Sequence, residues 1–493
     1  MILWQFAMIF CTQQIFPVFY NYTPKRNCEN FDIYANESSC SMSKKDECKA
    51  LKDCEEIRLL KEPPFHSAVE EFDLFCDHKA YYATVVSTCQ FLGVLFGTVI
   101  YGHLGDHFGR RMVSFLGITI GILFAMASGL SPSWPVLAVL RFIVGSSIAC
   151  VLVVFYTFIC ELIQPNQRVF LRAFFNWGYA RLIFTLICFI CDHWRSAAIA
   201  TAAVVIPVPL ACLFILPESP KWLISKGKPK EAKIAAQKLQ KFANEVTLFT
   251  EDLQRESSNQ QHIYTMKDLL SDRKIAKRAA VLGILWFSTS LSAFGSDLNS
   301  RNLAGNFYAN QFVSGAVTAL AKIFIFIFDE KLPTFDRRKL YYIPQILMIS
   351  CYASIMVLMI FVKEDDCDED YWANWGVIIL NIIGVSLIEI TWDACYLVAV
   401  ECFPTEIRTI GIGTCSLLAR CGALLAPQMA YLSSVARWAP YGVVVSIGIF
   451  SLMIGFFFLP NTKGVDLGNV DAANDDFEKK NSPHRLKCDS PVL

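Results

Sequence analysis

The sequence predicts an all-α polytopic membrane protein, with twelve transmembrane helices arranged as two six-helix bundles. Of its 493 residues 54% are hydrophobic and 18% charged, with 39 phenylalanines and a mean hydropathy of +0.41. That balance disfavours a soluble globule. The apolar residues are gathered in separate runs long enough to cross a bilayer as helices. A Glu, Pro, Arg succession also occurs once in each half, as Glu161, Pro165, Arg168 and as Glu401, Pro404, Arg408, which suggests a duplicated architecture. Formal net charge is zero, which argues against a nucleic-acid partner.

In chain order, Ile2 to Phe19 is apolar except for Thr12, Gln13 and Gln14. It lacks the basic leader and small-residue cleavage site of a signal peptide, so it reads as a first span. Tyr20 to Lys79 is polar and holds Cys28, Cys40, Cys48, Cys54 and Cys76, a density suited to disulfides in an oxidising compartment, with the pairing open. The N-x-S/T acceptors Asn21 and Asn36 lie there too; Asn36 is the better glycan site because Asn21 sits close to the membrane. That loop is then outside, and both termini are cytoplasmic.

Further spans run near Ala83 to Tyr101, Met112 to Leu130, Pro135 to Ile159, Val169 to Ile190 and Ala197 to Leu216. Pro217 to Arg278 is polar and lysine-rich, as the positive-inside rule expects of a cytoplasmic linker. Within it, Glu231 to Asn244 has helical periodicity suited to the inner membrane face. Six more spans follow near Ala279 to Phe294, Phe307 to Phe328, Leu340 to Val362, Trp375 to Val400, Ile410 to Leu432 and Pro440 to Leu459. This topology puts the acidic cluster Asp365 to Asp370 outside and Arg337, Arg338 and Lys339 inside. The domains are an amino-terminal bundle 1–216 containing the cysteine loop 20–79, a linker 217–278, a carboxy-terminal bundle 279–460, and a polar tail 461–493 expected to be disordered.

Between the second and third spans stands Gly102-His103-Leu104-Gly105-Asp106-His107-Phe108-Gly109-Arg110-Arg111. Gly102, Gly105 and Gly109 permit tight turns and close helix approach, Asp106 suits an arginine partner or a cap, and Arg110 and Arg111 suit headgroup anchoring. On residue types alone this is an ordinary basic loop. As a complete pattern it resembles the signature of the major facilitator superfamily. Glu71-Phe72-Asp73-Leu74-Phe75-Cys76, Pro217-Glu218-Ser219-Pro220-Lys221-Trp222-Leu223 and Glu401-Cys402-Phe403-Pro404-Thr405-Glu406-Ile407-Arg408 narrow the resemblance to its organic ion transporter family, the solute carrier 22 group.

That resemblance implies the major facilitator fold and a gating latch at Gly102 to Arg111, with Glu161, Arg168, Asp336, Arg337, Arg338, Glu401 and Arg408 in related roles. This chain departs from the pattern in three places. Asp336-Arg337-Arg338-Lys339 lacks the glycine of a second latch, Pro460-Asn461-Thr462-Lys463-Gly464 has lost a carboxylate, and the polar segment usual before the first helix is absent, as in a truncated amino terminus.

Arg141, Arg172, Arg181, Lys322, Glu389, Asp393 and Arg420 fall in or near the spans. A bare charge at that depth costs about 3 kcal/mol on insertion scales, so each must face a cavity, a partner or an interface. Arg141 and Arg172 read as braces for Glu161 and Glu401, while Glu389 and Asp393, four apart on one helical face, read as partners of Arg181 or Arg420. Lys322 in Leu320-Ala321-Lys322 and Arg420 in Ala419-Arg420-Cys421-Gly422 resemble positions of the family's organic anion members, although carnitine-type members also keep the arginine. The pair implies a cationic centre for a carboxylate or sulfate, unless Asp393 or Glu389 neutralises it.

Trp286, Phe287, Phe294, Phe312, Tyr179, Trp392 and Tyr396 are candidate apolar walls, with helix packing an equally good reading of each. The expected function is secondary transport of small organic ions, anions first, by alternating access between the bundles in the plasma membrane. A counter-transported dicarboxylate or other ion is an implied partner beside the lipid bilayer. An organic cation or carnitine-like zwitterion transporter is the alternative, and a transport-inactive receptor or scaffold the rival. The chain contains no H-E-x-x-H, G-x-S-x-G or Walker A segment, so no enzyme, cofactor or metal is expected.

Overall fold

The computed structural model describes residues 1–24, 26–28, 48–49, 54, 57–59, 62–240, 269, 271–303, 305–331, 337–361, 370–403 and 407–459. Asn36, Asp336, most of the acidic cluster and the tail lie outside the described residues, as does the side chain of Arg337.

Among the described residues, twelve helices are long and apolar enough to span a membrane. They are α1 (Ile2–Tyr20), α2 (Lys79–Phe108), α3 (Arg110–Ser128), α4 (Trp134–Leu162), α5 (Phe170–Cys191), α6 (Trp194–Phe214), α7 (Ile275–Asn302), α8 (Phe307–Ile327), α9 (Arg338–Phe361), α10 (Asn374–Cys402), α11 (Ile410–Ser434) and α12 (Ala439–Phe458). Several outrun their apolar stretches. α2 continues through Gly102 to Phe108, so the expected charged turn is instead two helices meeting at Gly109, whose φ of +103° only glycine adopts without strain. α7 continues past Phe294 because its polar residues from Ser296 to Ser300 are buried against protein.

Small residues let the helices approach closely, the usual device where lipid removes the hydrophobic drive. A Cβ on Gly145 of α4 would fall on the carbonyl of Gln90 in α2, and one on Gly93 on the carbonyl of Phe142. α7 and α11 repeat the arrangement, with Gly422 against the Phe287 carbonyl. The bundles meet where α2 packs on α11 and α5 on α8. At the second crossing Gly178 lies on the backbone of Ala319. Large apolar side chains such as Leu123, Phe189, Phe214, Phe324 and Phe361 are exposed on the periphery, as a lipid-facing surface requires.

One end of the molecule carries the cysteine loop. A short antiparallel pair joins Arg26–Cys28 to Ile57–Leu59, and disulfides link Cys28 to Cys54 and Cys48 to Cys76. This is the disulfide end; Gly109 marks the opposite, latch end.

Candidate functional site

At the latch end, Glu218 occupies the opening made by the break at Gly109. Its Oε1 accepts the amide hydrogens of Arg110 (3.1 Å), Arg111 (3.0 Å) and Ser219 (2.9 Å). The Arg110 and Arg111 amides open α3, so a carboxylate there also meets the positive end of the helix dipole. Asp106 binds Arg110 at 2.7 Å, and Glu161 approaches the same guanidinium at 3.9 Å. Arg111 donates to the carbonyls of Cys212 (2.7 Å) and Leu213 (2.5 Å), and Trp222 donates to that of Asp106 (3.0 Å). Gly105 rests against Val154, while Gly102 has Val153 at 4.0 Å. The latch therefore ties α2, α3, α4 and α6 to the segment after α6, all within the first half of the chain. The duplicated arginines play matched parts: Arg168 donates to the Cys160 carbonyl (2.8 Å) and Arg408 to that of Phe403 (3.2 Å), each closing the end of the preceding span.

Among the charges within the spans, Lys322 follows the alternative that the sequence left open, neutralisation by Glu389 and Asp393, and the arginines depart from expectation. Lys322 of α8 binds both Glu389 (2.8 Å) and Asp393 (3.0 Å) of α10, all three side chains being under a fifth exposed. Arg172 reaches Asp393 across the bundle boundary at 3.4 Å and lies over the Tyr396 ring at 3.8 Å. Glu389 and Asp393 thus serve Lys322 and Arg172 rather than Arg181 or Arg420. Arg181 pairs instead with Asp297 (2.6 Å), missed because the seventh span was ended at Phe294, and with Gln311 (2.9 Å), an uncharged residue inside the eighth span that the search for charges passed over. Arg141 is fully buried and donates to Gln13 Oε1 (2.7 Å), not to Glu161 or Glu401, whose places near the latch end leave them out of its reach.

Arg420 has no carboxylate within ion-pair distance among the described residues, and its Nε lacks a partner. Its level in the membrane follows from its neighbours, since Leu418 meets Gly283 and Gly422 meets Phe287. Arg420 is therefore level with Trp286. The rings of Trp286, Trp392 and Tyr396 cluster there, with Trp286 5.7 Å from Trp392 and 5.6 Å from Tyr396. In the other bundle the Trp4 ring lies 5.1 Å from that of Tyr156. Of the expected site residues, Trp286, Trp392 and Tyr396 touch one another and Lys322 binds the carboxylates of the same helix as the last two, while Arg420 stands on α11 at the level of Trp286.

The remaining candidates lie elsewhere. Phe294 stacks edge-on with Phe91 at 5.3 Å, in the core shared by both bundles towards the disulfide end. Phe287 packs on the same core, and Tyr179 is the third residue of the helical segment Trp177–Cys191, whose cap Asn176 accepts its amide hydrogen. Phe312 is half exposed on the lipid-facing stripe of Leu320 and Phe324, so it is no cavity wall. Asn21 is also corrected: it is buried, and its amide nitrogen donates to Ser87 Oγ (2.8 Å) and the Ala83 carbonyl (3.2 Å). An amide so engaged is not available to carry a glycan.

Residues 28–473 match the family described as "Sugar (and other) transporter". An uncharacterised Caenorhabditis elegans protein is 54% identical over 473 residues, covering 95% of this chain and 92% of its own. A Drosophila melanogaster organic cation transporter protein is 27% identical, covering 94% and 84%. The Mus musculus organic cation/carnitine transporter 2 is 28% identical, covering 81% and 70%. Among solved structures, an inward-open xylose transporter from E. coli superposes with a TM-score of 0.67 at 14% identity, covering 96% of this chain and 98% of its own. A related proton:xylose symporter structure, with a TM-score of 0.64, is described as a major facilitator protein.

Proposed function

Because this chain belongs to the sugar (and other) transporter family and has the twelve-helix major facilitator fold, a transporter and not an enzyme, we propose that it moves small organic ions bearing a cationic group, carnitine-like zwitterions foremost. The observation that carries this reading is the pairing of Lys322 with both Glu389 and Asp393. A lysine held by two carboxylates no longer offers a free positive charge to an anion, and with Arg172 also on Asp393 the cluster is close to neutral. The faces of Trp286, Trp392 and Tyr396 beside it suit an ammonium group, which is attracted to aromatic rings. Arg420, without a carboxylate of its own, suits the carboxylate of the same substrate through its planar fork. The names of the mouse and fly relatives favour the same class.

Alternating access proceeds as the bundles rock about this centre. In that cycle Arg172 and Asp393, from opposite bundles, form a bond that opening at the latch end breaks. The disulfide loop faces the cell exterior, Asn36 is its glycan site, and the termini are cytoplasmic in the plasma membrane.

Uptake of a carnitine-like betaine, a quaternary ammonium ion and an aromatic carboxylate, measured in cells with surface protein quantified, tests the reading. The betaine is expected to accumulate, and Arg420→Ala to reduce its uptake about tenfold or more, the scale of one charge-assisted hydrogen bond, at unchanged surface abundance. Arg420→Asp should retain or raise uptake of the quaternary ammonium ion. Uptake of the aromatic carboxylate alone would establish the second reading, organic anion transport, which Arg420's freedom from a carboxylate favours. No uptake of any probe by surface-located protein would point to the scaffold.

A further inference from the structure

The segment from Glu62 to Cys76 runs across the disulfide end and is fastened very unequally to the two bundles. On the amino-terminal side, His66 donates its amide to the Asp192 carbonyl (2.8 Å) and accepts from the Trp194 amide (3.0 Å), a one-residue parallel bridge to the turn between α5 and α6. Ser67 caps the helix Ala68–Glu71. Glu71 then accepts from Trp194 Nε1 (2.7 Å) and from Arg195 Nη2 (2.6 Å), and the same guanidinium donates through Nη1 to the Gly129 carbonyl and through Nη2 to the Ser131 carbonyl, at 2.8 Å each. Burial pushes the Glu71 carboxyl up, but these donors outweigh it and hold the group below its ordinary value. The Cys48–Cys76 disulfide secures the far end.

On the carboxy-terminal side the contacts are few. Tyr308 of α8 donates to the Pro64 carbonyl at 2.8 Å, and the same hydroxyl lies 3.3 Å from the Cys188 carbonyl of α5. Phe65 is fully buried against Phe19 (5.5 Å), and Phe19 in turn meets Phe307 at 5.2 Å. A contact broken in every transport cycle must be weak enough to part, whereas one that moves as a body is held by many bonds at once.

We infer that this strap is one jaw of the gate at the disulfide end, carried rigidly by the amino-terminal bundle, and that Tyr308 on Pro64, with Phe307 on Phe19, is the clasp that parts when that end opens. The inference rests on the alternating-access reading. Its test measures opening rather than uptake, so the two fail separately.

Thr84, itself buried, lines a narrow void with Asn21, Ser87, Arg301 and Ala430 at the interface between the bundles. In lipid nanodiscs, the reaction of Thr84→Cys with a water-soluble maleimide, followed on that peptide by mass spectrometry, reports how often this end opens. Adding Tyr308→Phe should raise the labelling rate about fivefold, the population change expected from one net hydrogen bond. Tyr342→Phe, which removes a hydroxyl bonded to the Gly455 carbonyl within the other bundle, should leave it unchanged. If Thr84→Cys fails to fold, Ala430→Cys probes the same void from the opposite bundle. Labelling at the wild-type rate in Tyr308→Phe, or an equal rise in Tyr342→Phe, overturns the clasp.

Discussion

Lys322 shows what a single residue in this protein can be asked to do. Its ammonium compensates two carboxylates in a site with little water, so removing it leaves like charges together on adjacent turns of α10. Lys322→Met is expected to destabilise the fold by about 3 kcal/mol, the usual consequence of stripping one partner from a buried pair. Adding Glu389→Gln should recover part of that loss, because one of the two repelling charges then disappears. Thermal unfolding of the purified single and double variants checks this, and a double variant less stable than the single one would contradict it. Sequence reasoning found all three residues as charges at membrane depth. It could not pair them, because Coulomb energy depends on distances between helices that chain order does not encode.

Among the elements, α2 and α4 are the most tightly joined in the first half, and their contact depends on glycine. Gly145→Val has nowhere to put its side chain except into the backbone of Gln90, so folded, surface-located protein should fall sharply. Gly413→Ala in α11 meets open space and should express like the wild type. Size-exclusion profiles of the two variants, measured side by side, separate a packing requirement from a general intolerance of glycine replacement. The spans themselves were legible from their apolar runs, but their ends were not. α7 extends eight residues beyond the expected boundary because protein surrounds its polar last turns, and α2 extends seven because its largely exposed charged end continues as helix beyond the apolar run.

At the scale of the whole molecule, the two bundles are joined differently at each end. The disulfide end closes through the strap, Tyr308 and a shared aromatic core. Towards the latch end Arg172 on Asp393 and Tyr396, and Phe174 on Phe326 at 5.9 Å, are the principal links among the described residues. Arg172→Ala should therefore loosen that side selectively. Distances between spin labels on α5 and α10 near the latch end are expected to lengthen and broaden, while labels at the disulfide end keep their wild-type distribution. Equal broadening at both ends would mean that Arg172 supports the fold rather than the gate.

The sequence by itself determined the fold class, the twelve spans, the intact latch and its incomplete echo, because run length, glycine spacing and motif are local properties. Lys322, Arg420, Trp286, Trp392 and Tyr396 were likewise singled out from type and position. Only the tertiary structure decided their partners. It gave Lys322 to Glu389 and Asp393, Arg181 to the overlooked Asp297, and Arg141 to neutral Gln13, leaving Arg420 without a carboxylate. It likewise turned Asn21 inward, and seated Glu218 on the amides opened by Gly109. Each of these depends on helices far apart in the chain being brought within hydrogen-bond reach, so the sign of the charge left free in the membrane's centre is a property of packing rather than of composition.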